Sequence, residues 1–289
     1  MRVLVTTDGS RRSLQALPHA VRATRALGGE LVLARVIDPQ DAGTKERNRP
    51  APAMARVARQ RKRHLEQKLE EVPVPARPVL LVRERREKVA DLILRLIEEE
   101  QVDLAVLATH GAGFIRTAML GSVATAVLRR ASVPVMLVGP KVQAPADPLP
   151  YHLLVTTDGS PAAASVLPSM KMLLRQAPRD RVRLTLLRVC RAALGDPTND
   201  VLHADCERQL ATFQRQAPRR FHISREVRDD HSLRGVDHVI AGAAAELGAD
   251  AIWMATHGAS FRRRALLGSA ALAMVRRANV PVVLSSATG

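Results

Sequence analysis

Two loops carry residue types suited to holding a phosphate. One reads THGAGFIRTAMLGS over residues 109–122, and the other reads THGASFRRRALLGS over residues 256–269. In each, nine residues separate the glycine after histidine (Gly111, Gly258) from a Gly-Ser pair (Gly121-Ser122, Gly268-Ser269). Each loop follows a short apolar run, Leu104 to Leu107 or Ala251 to Met254, and leads into a helix-like stretch ending in Arg-Arg-Ala. A strand, a glycine-bearing loop and a Gly-Ser that starts a helix leave backbone N–H groups unpaired at a helix N-terminus. Hydrogen bonds and the helix dipole both favour an anion there. The spacing suggests a duplicated nucleotide-binding module.

Other polar residues near these loops have two readings each. Asp8 and Asp158 follow apolar runs in the repeated VTTDGS, where a carboxylate can accept from ribose hydroxyls. The same residue type also makes Asx turns and helix N-caps. His110 and His257 face phosphate or a metal-bound water in one reading and solvent in the other, and no second base for catalysis is evident. Arg116 and Arg263 occupy equivalent loop positions, where a cation either pairs with phosphate or is simply solvated. Gly113 makes a local Gly-Ala-Gly, but Ser260 stands in its place in the other copy, so no GxGxxG fingerprint is assigned. No GxxxxGK[ST] loop occurs.

These loops need elements to hold them, and the elements also come twice. RVLVTTDGS at 2–10 returns as HLLVTTDGS at 152–160, ATHGA at 108–112 returns at 255–259, and VPVMLV at 133–138 returns as VPVVLS at 280–285. The order is the same, so the chain is a tandem duplication. Strands are predicted over Val3 to Thr6, Glu30 to Ile37, Arg77 to Val82, Asp103 to Ala108 and Val133 to Val138. Helices are predicted over Ser10 to Ala26, Met54 to Glu71, Lys88 to Glu99 and Ser122 to Arg130, with a loop at 38–50. In the second half strands fall near 153–156, 183–189, 221–227, 250–255 and 280–284. Alternating strands and helices mean a parallel sheet covered on both faces. The proline-rich segment 141–150 reads as a linker between domains at 1–140 and 151–289. Pro18 and Pro168 sit inside the first predicted helix of each half, which calls for a shared kink or a delayed helix start.

Composition narrows the function classes. The formal charge of +16 would attract phosphate of any source. Only six of the 44 cations are lysines, however, and they are scattered; aromatics at 2% leave no stacking platform for single strands. A general arginine bias explains the charge, and nucleic acid is not expected as a partner. No apolar run approaches a membrane span, and the N-terminus enters a strand directly with no signal-peptide design. Cys190 and Cys206 form neither a disulfide framework nor a zinc site by spacing, so a reduced, cytoplasmic compartment is the expectation.

Taken together, VTTDGS at both domain starts, THG-x9-GS, and VPVMLV or VPVVLS at both domain ends resemble the universal stress protein family in its tandem two-domain form. The resemblance covers nearly the whole chain. It implies α/β architecture: two tandem Rossmann-like (adenine nucleotide alpha hydrolase-like) domains, each a five-stranded parallel sheet of order 3-2-1-4-5 with helices on both faces. It also implies ATP over the ends of strands one and four. Carried across, Thr7 and Asp8 lie by ribose and base, Val36 lies against adenine, and Gly111, Gly121, Ser122 and Val123 hold phosphates. The second half offers Thr157, Asp158, Val189, Gly258, Gly268, Ser269 and Ala270. Here the sequence departs from the family pattern G-x2-G-x9-G-[ST]. Ala108 and Ala255 replace the first glycine, each closing a predicted strand where φ is negative and the added methyl narrows the site.

The resemblance further implies that Val133–Val138 and Val280–Leu284 pair within the chain as a pseudo-dimer, which would protect an apolar edge. A homodimer of whole chains stays open, and nothing in the sequence prefers one half as the binding site. The expected function is a stress-response protein binding ATP, with Mg²⁺ accompanying the nucleotide, as a regulatory ligand and with no catalytic residue assigned. The alternatives are a nucleotide-free interaction module and a slow ATP-hydrolysing or phosphotransfer enzyme using Asp8 or His110.

Overall fold

The computed structural model describes residues 1–37, 51–84, 86–110, 120–145, 149–191, 198–230, 235–256 and 267–285. The first half runs β1 (Arg2–Thr7), α1 (Arg11–Leu14), α2 (Ala16–Leu27), β2 (Glu30–Ile37), α3 (Ala51–Leu69), β3 (Ala76–Val82), α4 (Val89–Glu99), β4 (Leu104–Ala108), α5 (Ser122–Arg130) and β5 (Val135–Val138). The second half runs β6 (Tyr151–Thr156), a 3-10 turn (Ala163–Ser165), α6 (Val166–Leu173), β7 (Val182–Cys190), α7 (Asn199–Gln216), β8 (His222–Asp229), α8 (Val236–Glu246), β9 (Ala251–Ala255), α9 (Ser269–Arg277) and β10 (Val282–Ser285). Within each half the strands are parallel and ordered 3-2-1-4-5, as the resemblance implied.

One ten-stranded sheet results, ordered β3-β2-β1-β4-β5-β10-β9-β6-β7-β8. Its centre is the antiparallel pairing of β5 with β10, in which Val282 faces Leu137, Val283 faces Met136 and Leu284 faces Val135. All six side chains are buried. Both predicted edge strands start two residues late, because Pro134 and Pro281 lack an N–H for the ladder and contribute only carbonyls, to Ala105 and Ile252. The two sheet faces carry separate cores, each drawn from both halves. Leu31, Leu33, Leu65 and Leu104 lie on one face with Leu184 and Trp253. Leu4, Val32, Val127 and Leu137 lie on the other with Ile252 and Leu284.

The repeated proline marks a restart of the helix rather than a kink. After Leu14 the chain breaks at Gln15 and α2 begins at Ala16, so Pro18 sits in a first turn whose N–H groups have no intrahelical acceptor. The second half does the same with its 3-10 turn, and Pro168 is again the third residue of the helix that follows.

A buried ion pair also ties the halves together. Arg22 of α2 donates through Nε to Asp250 Oδ1 at 2.9 Å, and its guanidinium lies over the Tyr151 ring at 5.5 Å. The other carboxylate oxygen of Asp250 accepts from the backbone N–H of His152. Beside this pair sits His19, whose burial pushes its pKa down to about 4, against smaller opposing effects of the Gln143 backbone and Asp250.

Candidate functional site

The repeated Asp-Gly-Ser makes the same turn at the ends of β1 and β6. Thr7 Oγ1 accepts from the Gly9 N–H and Asp8 Oδ1 from the Ser10 N–H; Thr157 and Asp158 do the same for Gly159 and Ser160. Both aspartates are thus Asx-turn residues, as one of the two readings held. Gly9 and Gly159 sit at φ +86 and +76, where a side chain is strained, and a Cβ there would strike Arg35 or Arg188. The following serine caps: Ser13 N–H donates to Ser10 Oγ, and Ala163 N–H to Ser160 Oγ. In the first half the Ser13 hydroxyl extends this network, donating to Asp8 Oδ1 at 2.6 Å and pairing with Thr7 Oγ1 at 2.7 Å.

The Gly-Ser pairs begin α5 and α9, as expected. The N–H of Gly121 donates to the Thr109 carbonyl at 2.8 Å, and that of Gly268 to the Thr256 carbonyl at the same distance. That contact explains the first glycine of the pair: a Cβ on Gly121 would lie 2.8 Å from the carbonyl oxygen. It also commits the Gly121 and Gly268 N–H groups. The N–H groups turned to the helix N-terminus are therefore those of Ser122 and Val123, and of Ser269 and Ala270. Ala108 and Ala255 close β4 and β9 with negative φ, as their strand position required. Thr109 Oγ1 lies 3.0 Å from His110 Nδ1. Gly111, Gly258, His257, Arg116 and Arg263 lie outside the described residues.

In the second half these parts surround a cavity of about 490 Å³. Thr157, Asp158, Val189, Ala255, Gly268, Ser269 and Ala270 all line it. Leu187, Val236, Ile240 and Met254 give it an apolar side suited to a flat base, and Arg188 gives it a cation. Nε and Nη1 of Arg188 are buried without a hydrogen-bond acceptor among the described residues. Burial lowers the pKa of this guanidinium, while Asp158 and Asp205 oppose the shift. An apolar wall, open helix N-terminal donors and a half-buried guanidinium with two nitrogens lacking an acceptor among the described residues together fit a nucleotide. Among the described residues no group of three or more metal-ligating side chains occurs.

Beside the first half's Asp-Gly-Ser turn lies a different cavity, of about 640 Å³, lined by Gly9, Arg35, Arg56, Arg59, Arg61 and His64. It takes none of the predicted site residues. Thr7, Asp8, Val36, Ala108, Gly121, Ser122 and Val123 still occupy the strand ends and helix start equivalent to those of the second half. Val36 and Val123 pack against one core face, as Val189 does.

Sequence reasoning missed the cysteines. Cys190 and Cys206 are joined by a disulfide, where the sequence reading expected no disulfide framework. Spacing alone could not reveal it: the bond forms because α7 packs across the end of β7, placing the helix residue over the strand's last residue. Both cysteines line the second-half cavity, as do Leu202 and Asp205 of α7. The signal available in the sequence was positional, since Cys190 directly follows the predicted adenine contact Val189.

Comparison with known proteins bears on both halves. The family model described as the universal stress protein family matches residues 1–139 and 151–285. Universal stress protein MJ0577 of Methanocaldococcus jannaschii is 24% identical over 156 residues, 47% of this chain and 93% of that protein. A universal stress protein structure from Archaeoglobus fulgidus aligns over 99% of this chain and 96% of its own at 20% identity, with a TM-score of 0.64. A putative universal stress protein from Pseudomonas aeruginosa aligns over 99% and 92% at 15% identity, with a TM-score of 0.58. The last two share the whole tandem fold.

Proposed function

The chain belongs to the universal stress protein family, and from that premise we propose that it binds ATP as a regulatory ligand, with the second-half cavity as its principal site. The observation that carries this reading is the cavity of about 490 Å³ that gathers Asp158, Val189, Ser269 and Ala270 around an apolar wall. In it the adenine lies against Val189 and Ile240, the ribose hydroxyls donate to Asp158, and the phosphates accept from the first-turn N–H groups of α9 and the Ser269 hydroxyl. Mg²⁺ enters with the phosphates, since that ion keeps most of its waters and needs few protein ligands. Thr7, Asp8, Val36, Gly121, Ser122 and Val123 form the corresponding first-half site.

Binding rather than turnover is the proposed activity. Asp158 and Asp8 are held in Asx turns, which suits an acceptor of ribose hydroxyls better than a mobile base. We further propose that the two matched segments act as domains at 1–140 and 151–289, and that the β5–β10 pairing fills the role of a dimer contact within one chain. A cytoplasmic location fits a chain in which no described helix is long and apolar enough to cross a membrane. Isothermal titration with Mg-ATP tests the reading: saturable binding that Asp158→Ala weakens supports it, and the absence of both heat and thermal shift refutes it.

A further inference from the structure

We propose that the Cys190–Cys206 disulfide is a reversible latch on the wall of the second-half cavity, so that thiol–disulfide exchange sets the affinity of that site. The inference rests on the nucleotide reading above for the identity of the ligand, but not for the latch itself. Cys190 ends β7 and Cys206 lies in α7, and both face the cavity beside Val189 and Asp205. In a reducing compartment a protein disulfide is typically transient and functional rather than structural.

The buried residues of α7 are Cys206, Leu210 and Phe213, so Cys206 is the anchor nearest the helix N-terminus. Before it, Val201 is 66% exposed and Leu202 is 42% exposed. His203 adds only a partly exposed contact with Asp229 at 3.3 Å, which contributes little. The stretch Asn199–Asp205, which carries cavity residues Leu202 and Asp205, is therefore joined to the sheet covalently only one residue beyond its end, at the sulfur bridge, and electrostatically through Asp205 and Arg188 of β7. Without the bridge, this end of the helix loses its covalent tie to β7 and opens more readily.

The duplicate helix makes the contrast. When Leu65 is placed over Leu210, each fully buried, Arg61 corresponds to Cys206, and Ile37 at the end of β2 corresponds to Cys190. The latch thus belongs to the second half alone.

The chemistry needs only a small thiol and its disulfide. A thiolate of a low-molecular-weight thiol attacks one of the two sulfurs, breaking the Cys190–Cys206 bond and forming a mixed disulfide. The other cysteine leaves with the bonding pair and takes up a proton. A second small thiol attacks the mixed disulfide and releases the small-molecule disulfide, leaving two protein thiols; the reverse sequence closes the latch. Both cysteines are otherwise buried, so a nucleotide in the cavity covers their approach, and reciprocal coupling requires that its binding also make reduction less favourable at equilibrium.

The test uses the full chain, oxidised and after dithiothreitol, with Mg-ATP titration and hydrogen exchange of α7 read in parallel. The oxidised protein is expected to bind at least about fivefold more tightly, the lower end of common coupling factors. Amides of 199–206 should exchange faster after reduction. The double variant Cys190→Ser/Cys206→Ser should match reduced wild type and ignore dithiothreitol. Equal affinity in both redox states with unchanged α7 exchange overturns the proposal. So does alkylation that finds two free thiols after equilibration with a small-molecule disulfide. Faster α7 exchange on reduction without ATP binding in either state supports the latch and overturns the nucleotide reading.

Discussion

The two halves share a backbone and differ in the helix that roofs it. At the end of β2 and β7 stands the same residue type, Arg35 or Arg188, packed under the glycine of the Asp-Gly-Ser turn. In the first half the pKa of Arg35 is lowered by burial and then by the like charge of Arg61, with Asp8 alone opposing the shift. In the second half Arg188 meets Asp158 and Asp205, which counter the effect of burial. The turn itself has diverged less, losing only the Ser13 hydroxyl to Ala163. Duplication kept what the sheet and tight turns dictate, and the solvent-facing helices α3 and α7 were left to become different walls.

The junction is equally one-sided. Arg22 pairs with Asp250, but the residue matching Arg22 in the second half is Met172, 41% exposed. Arg22→Ala leaves the Asp250 carboxylate buried without its cation and should cost about 3–5 kcal/mol in denaturant unfolding. Met172→Ala should change stability by less than about 0.5 kcal/mol. Comparable losses in the two variants would make the ion pair unimportant to the join.

The same asymmetry governs pH. His19 has a folded pKa of about 4 against 6.5 unfolded, whereas its second-half counterpart is Ser169. The unfolded chain takes up the proton first, so stability is full above about pH 6.5 and falls as the pH drops towards 4. Between pH 7.5 and 5 the loss should be on the order of 2 kcal/mol. His19→Gln should flatten that part of the Tm–pH curve, while Ser169→Ala leaves it unchanged. An unaltered slope in His19→Gln would assign the dependence to other groups.

Ligand effects should follow the cavities. Asp158→Ala removes a charged acceptor from the second-half site and should weaken ATP about tenfold, equivalent to one hydrogen bond to a charged group. Asp8→Ala should affect the tighter binding event less, and the reverse order would move the principal site to the first half. The smallest effect is expected at the missing glycine. Ala255→Gly opens the cavity by one methyl and costs about 0.5–1 kcal/mol of strand stability. Ala108→Gly carries the same stability cost without improving the tighter ATP event, and titration of both variants checks this.

The repeated blocks made most of the fold legible. β2 and α5 fall at their predicted bounds because their patterns are regular and the glycines Gly28-Gly29 and Gly121 mark where they begin. The split of the first helix was undecidable in sequence, since a proline is compatible with a kink or a first turn and only the break at Gln15 decides between them. The candidate cavity was legible where it is local, in Asp158, Gly268 and Ser269, which line it. It was not legible where it depends on how α7 lies across β7, which brings Cys206 and Asp205 to the cavity from a helix whose pattern marks only its buried side. The commitment of the Gly121 N–H to Thr109 was hidden for a related reason, because a loop's closing hydrogen bond leaves no periodic trace.

Photolabelling with 8-azido-ATP, followed by peptide mapping, tests most directly whether the second-half cavity holds the adenine. Label that unlabelled ATP displaces should fall on the peptides around Val189–Cys190 or Val236–Ile240. Label confined to first-half peptides, or undiminished by ATP, would contradict the assignment.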